Sequence, residues 1–115
     1  MTLTERPVGD AVVLRLDGRL LQGDSVELLR DKVRSLLQQG QRAFVIDLAL
    51  VPYMDSAGLG ALVQSLATVT NQGGQLCLLH VTDRLRDLLV ITKLLTVFNC
   101  FDSEAAALEA LAAKA

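Results

Sequence analysis

Three short apolar runs separated by longer amphipathic stretches limit the folds open to this chain more than any other feature. Ala11 to Asp17 sets Val12, Leu14 and Leu16 against Val13 and Arg15, the period-two pattern of a strand, and Gly18 closes it. Ala43 to Leu48 carries the unbroken run Phe44-Val45-Ile46, as in strands covered on both faces. Gln75 to His80, with Leu76, Cys77, Leu78 and Leu79, is a third strand. Helical stripes lie between them. Val26, Leu29, Val33, Leu36 and Leu37 recur at helical spacing; Asp24 reads as the N-cap, Glu27 stands three residues on, and Gly40 ends the helix. Leu59, Leu62, Val63, Leu66 and either Val69 or Thr70 form a second stripe, terminated by Asn71-Gln72-Gly73-Gly74. Thr82 or Asp83 caps a third helix through Leu85, Leu88 and Leu89. Residues 2–7 read as a short edge strand, because Pro7 argues against a central position. Val97 to Phe101 reads as a last short strand, and Asp102-Ser103-Glu104 opens an Ala-rich helix with Leu108 and Leu111. Strands alternating with helices predict an open α/β sheet with helices packed on it.

The 115 residues suit one compact domain, 1–115, and 51% apolar content supplies a real core. With three Phe and one Tyr, that core is built from Leu, Val and Ala. A net charge of −2 without any basic cluster argues against nucleic acid as a partner, since phosphate-backbone binding needs grouped Lys and Arg. No apolar run approaches the roughly 20 residues of a membrane span. The first seven residues lack the charged-then-apolar pattern of a signal peptide, so a cytoplasmic location is expected. Cys77 and Cys100 read as two reduced, buried thiols, and one His without a CxxC gives a zinc site no support.

The chemistry concentrates in Met54-Asp55-Ser56-Ala57-Gly58-Leu59-Gly60-Ala61-Leu62, directly after a strand and the chain break at Pro52. Asp55 is the expected N-cap, and Ser56 stands at or beside the first helical residue. Glycine inside a helix costs roughly 1 kcal/mol relative to alanine. Accepting that cost at both Gly58 and Gly60 points to close packing or to a partner's approach. A helix start also favours a phosphate on Ser56, through its free N–H groups and its positive dipole end.

This run resembles the signature of the STAS family, in particular the bacterial anti-sigma factor antagonists, whose D-S-[SA]-G-L-G segment carries a serine phosphorylated by a partner kinase. Asp55-Ser56-Ala57-Gly58-Leu59-Gly60 fits that segment at every position. Gly18 with Leu20, Val45-Ile46-Asp47-Leu48, Gly73-Gly74-Gln75-Leu76, and Phe101-Asp102-Ser103 with Ala107-Leu108 follow in the family's order, from about Ala11 to Leu111. The resemblance implies a STAS-like α/β domain, a mixed central β-sheet with helices packed mainly on one face and Ser56 at an exposed helix start. It also implies a binding protein rather than an enzyme, with no cofactor of its own. Unmodified, Asp55, Ser56, Ala57, Gly58, Leu59 and Gly60 would dock on an anti-sigma factor serine kinase and free the sigma factor. Phosphorylation of Ser56 would end the complex, a PP2C-type phosphatase would restore it, and ATP and Mg²⁺ would belong to the kinase. One departure is Leu21, where family members often carry a polar residue. An alternative role is a STAS subunit of a lipid-transport or stress-sensing assembly; oligomeric state is open.

Other chemistries fit less well. Gly58 and Gly60 lack a third glycine for a dinucleotide site, no Gly-Lys-[Ser/Thr] forms a P-loop, and Met54 stands where a nucleophile elbow needs glycine. His80, the only candidate base, is expected to be structural or solvated, without an orienting partner. Asp47 reads as a solvated strand-end carboxylate or a turn acceptor. Arg84, Arg86 and Asp87 read as the polar face of the third helix, and Tyr53 and Met54 either pack under the signature or show at its rim.

Overall fold

The computed structural model describes residues 1–113; Lys114 and Ala115, the end of the expected domain, lie outside the described residues. The elements are β1 (Thr2–Val8), β2 (Ala11–Asp17), α1 (Asp24–Gln38), β3 (Ala43–Leu50), α2 (Ser56–Asn71), β4 (Gln75–Leu79), α3 (Asp83–Ile91), β5 (Cys100–Phe101) and α4 (Glu104–Ala113). They form one mixed sheet in the order β1-β2-β3-β4-β5. β1 pairs antiparallel with β2, and the remaining pairs are parallel. Pro7 lies on the edge strand, as its missing N–H requires.

Topology decides which face the helices cover. The sheet grows in one direction from β2 to β5, and crossovers between parallel strands share one hand. The three crossover helices α1, α2 and α3 therefore pack on the same face, over Val12, Leu14, Leu16, Phe44, Ile46, Leu48, Leu76 and Leu78. α4 follows the last strand, is free of that rule, and places Ala107 and Leu111 on the opposite face against Ala11, Val13, Val45, Cys77 and Leu79. β3 is covered on both faces, as its continuous apolar run predicts.

The helix ends follow from local chemistry, with one correction. Gly23, at φ +107°, precedes α1, and Asp24 is the first helical residue rather than the cap. The hydroxyl of Ser25 takes over locally, accepting from the Leu21 N–H at 2.8 Å and donating to the Leu21 carbonyl at 2.6 Å. α1 and α2 end in the same motif: Gly40 and Gly73 adopt positive φ, and the next residue's N–H returns to Leu36 and Val69 respectively. α3 uses Lys93, at φ +61°, in the same way. Thr82 rather than Asp83 caps α3, its hydroxyl accepting from the Leu85 N–H.

Two further expectations are corrected. The last strand shrinks to Cys100–Phe101, because residues 94–99 turn and expose Val97. Cys77 is buried as expected, but Cys100, at the sheet edge, is only half-buried. Burial, with a smaller contribution from Cys100, pushes the Cys77 thiol up to about 11, and burial also raises that of Cys100. Among the described residues, no helix is long and apolar enough to cross a membrane.

Leu62 sits fully buried where α2 meets the sheet. Leu62→Ala is expected to cost about 2–5 kcal/mol, read as a lowered urea midpoint with an unchanged slope.

Candidate functional site

Two loops at the carboxyl ends of β2 and β3 are laced together by backbone. The Gly18 N–H donates to the Leu50 carbonyl at 3.0 Å and the Leu20 N–H to the Tyr53 carbonyl at 3.0 Å. The Asp55 N–H returns to the Leu20 carbonyl at 3.3 Å, and Leu20 and Met54 form a single parallel bridge. Leu20 and Met54 are buried, which carries the strand pairing past the ends of the strands into the core. Met54 thus packs under the signature and Tyr53 shows at its rim.

Asp55 then caps α2 and ties both loops to it. It is extended, at φ −92° and ψ −176°; its Oδ1 accepts from the Gly58 N–H at 2.8 Å. Its Oδ2 accepts from the Gln22 N–H at 3.0 Å, across the loop boundary. These donors, Gln22 first and Gly58 second, hold the carboxyl below its ordinary value of 3.8. Ser56 is the first residue of α2 and is exposed.

The two glycines separate. A Cβ on Gly58 would lie 2.2 Å from the Leu20 carbonyl oxygen, so only bare backbone fits. A Cβ on Gly60 would meet nothing within 4 Å, and Gly60 is exposed. Of the six signature residues, Ser56 and Gly60 reach solvent, Asp55 and Ala57 are half-buried, and Gly58 and Leu59 are buried. Leu59 points into the core. Beside the helix start, Tyr53, Met54, Leu85, Leu88 and Ile91 line an apolar groove of about 340 Å³ rimmed by Arg84 and Asp87. The signal for it was Ile91, an apolar residue off the buried stripe of α3 and 78% exposed.

Asp47 and His80 are the pair that sequence reasoning missed. Asp47 is buried rather than solvated: its Oδ1 accepts from the Ala49 N–H at 3.0 Å and lies 3.1 Å from His80 Nδ1. The turn-acceptor half of the expectation holds, and the expectation that His80 lacks an orienting partner is overturned. β3 fits one extra residue against β2 between Asp47 and Leu50, and the Asp47 carboxylate braces that irregularity. β4 ends one residue early because His80 takes φ +58°. His80 makes no side-chain hydrogen bond to a serine, threonine or cysteine among the described residues. The arrangement therefore offers a base and its orienter with no nucleophile attached.

Comparison with known proteins gives a consistent picture. The sequence pattern of the STAS domain matches residues 4–107. The Anti-sigma-B factor antagonist of Bacillus subtilis (strain 168) is 39% identical over 75 residues, which span 65% of this chain and 68% of that protein. A Thermotoga maritima protein described as a candidate anti-sigma factor antagonist superposes with a TM-score of 0.88 at 24% identity, over 95% of this chain and 93% of that one. The Bacillus cell fate determinant SpoIIAA, in its phosphorylated form, superposes with a TM-score of 0.72 at 23% identity, over 91% of this chain and 96% of that one. Both structures share the fold.

The different surroundings of Gly58 and Gly60 predict opposite signs on substitution. Gly60→Ala gains helix propensity in open space and should stabilise the protein by roughly 0.5–1 kcal/mol. Gly58→Ala meets backbone that cannot rotate away and should destabilise it by about 1–3 kcal/mol. Chemical denaturation of both variants checks the pair.

Asp55 predicts a pH dependence. Its folded pKa is depressed, so its contribution to stability is complete above the unfolded value near 3.8 and is lost as pH falls through the lower folded value. Asp55→Ala should therefore melt below the wild type at neutral pH, and the gap should close as pH falls from 3.8 through the depressed folded value. Thermal melts across that range test it.

Proposed function

We propose that this chain, which belongs to the STAS domain family, is an anti-sigma factor antagonist controlled by a phosphate on Ser56. The observation that carries this reading is Ser56 itself: an exposed hydroxyl on the first residue of a helix whose start is already fixed by Asp55. The name of the Bacillus subtilis relative and the existence of SpoIIAA in a phosphorylated form support it.

In this reading the chain works by binding, not turnover. Unmodified, the surface around residues 55–60 docks on an anti-sigma factor and releases the sigma factor in the cytoplasm. The same partner, a serine kinase using ATP and Mg²⁺, phosphorylates Ser56, and a PP2C-type phosphatase removes the phosphate. Phosphorylation brings about −1.5 to −2 charges to a helix start that already carries one carboxylate. In the free protein the first-turn N–H groups and water accommodate that charge. A docked surface shaped for a neutral hydroxyl does not, because like charge at a desolvated interface costs several kcal/mol.

Ser56→Ala should bind the cognate anti-sigma factor as the wild type does and resist phosphorylation. Ser56→Asp should lose at least about tenfold in affinity, or 1.4 kcal/mol, with an unchanged circular dichroism spectrum. Calorimetric titration of the three proteins checks this. Equal affinities would exclude an electrostatic switch at Ser56. Capture of transporter or stress-complex components from native cells, in place of a kinase, would favour the other STAS role.

A further inference from the structure

α4 covers only one end of its face of the sheet. Beyond Val13 and Val45, toward the carboxyl ends of the strands, the same face carries Arg15 and Asp47. These two are register partners on adjacent parallel strands, so their Cα atoms lie about 5 Å apart. A cleft of about 420 Å³ opens there, with the Arg6–Glu104 ion pair as its wall and Thr4 and Val13 at its floor.

Most charged atoms of the cleft are already engaged. Arg6 holds Glu104, Glu5 holds Lys32, and Asp47 Oδ1 serves Ala49 and His80. Two groups are unspent. The Arg15 side chain makes no ion pair or hydrogen bond among the described residues. Asp47 Oδ2 accepts no hydrogen bond among the described residues and stays open to the cleft.

The unspent pair specifies its ligand. A guanidinium fork matches a carboxylate, and a carboxylate oxygen matches an ammonium. One of each, a single inter-strand spacing apart and summing to zero charge, fits a zwitterion whose two groups lie close together. A phosphate or a simple acid would leave Asp47 facing like charge. A cleft of this size falls within the range of small-molecule sites and leaves room for a side chain. We propose that the cleft binds a free α-amino acid, its carboxylate on Arg15 and its ammonium on Asp47 Oδ2, with His80 holding the Asp47 carboxylate in position. This site is separate from Ser56 and does not depend on the role proposed for it.

The test titrates the ¹⁵N-labelled full chain with each free L-amino acid in turn and follows backbone amides by NMR. At least one amino acid should shift Thr4, Arg15 and Asp47 saturably. Its N-acetyl derivative lacks the ammonium and its amide lacks the carboxylate. Each should bind at least about tenfold more weakly, as should the amino acid to Arg15→Gln and to Asp47→Asn. Arg15 is exposed, so Arg15→Gln remains decisive if Asp47→Asn fails to fold. No saturable shift from any amino acid, or equal binding by both blocked derivatives or by Arg15→Gln, overturns the proposal.

Discussion

The approach of Gly58 to the Leu20 carbonyl is the constraint on which the signature surface depends. It lets α2 begin flush against the β2–α1 loop, with no side chain between them. Only at that distance can one carboxylate, Asp55, reach both the first-turn N–H of α2 and the N–H of Gln22 in the other loop. A methyl group at position 58 would separate the two segments, and the clasp would have to choose between its partners. Ser56 gains its fixed, outward placement from this arrangement: the residue before it is held at two oxygens and the residues after it are pinned to the core through Leu59 and Leu62.

A surface organised in this way needs little else from the fold than a rigid base. The base comes from three parallel strands buried between helices, with Phe44 and Ile46 facing one layer and Val45 the other. Backbone pairing continues past β2 and β3 into the loops, so the segment around Ser56 inherits the stiffness of the sheet instead of the mobility usual in long loops. The apolar groove beside Tyr53 and the hydroxyl of Ser56 share that support, since Met54 lines the groove from the buried side.

How far the sequence revealed this depended on the range of the interactions. The boundaries of β2, the Asp55 cap and the start of α2 at Ser56 were legible, because each rests on neighbours within four residues. The cap of α1 was misread for a reason of the same kind: Asp24 and Ser25 are both good caps, and the positive φ of Gly23 shifts the first helical position by one. β5 was overextended because an apolar residue at position 97 reads as strand whether or not it has a strand to pair with, and it is exposed. The pair Asp47–His80 was not legible at all. Its partners are 33 residues apart, and only the parallel register of β3 and β4 makes them neighbours. Gly58 and Gly60 look alike in sequence and differ only in what the fold places opposite them.

Parallel strands also give the sheet two unlike ends. Every crossover helix starts near the carboxyl end of one strand and stops near the amino end of the next. The stopping ends carry Gly40, Gly73 and Lys93 in left-handed turns that satisfy their own carbonyls and offer little to a ligand. The starting ends carry free N–H groups, the Asp55 and Thr82 caps, and the strand-end polar residues Asp47 and His80. Backbone donors, dipoles and side chains of opposite charge therefore collect at one end, the place where open α/β sheets recruit ligands. The sheet divides that end into two sides, one covered by α1–α3 and the other partly covered by α4. Ser56 faces out from the helical side, and Arg15 with Asp47 looks out from the side that α4 leaves uncovered. Both sides connect through the sheet: the carboxyl end of β3 holds Asp47 and leads into the loop that presents Ser56, and β2 carries Arg15 and leads into the loop that Asp55 clasps at Gln22.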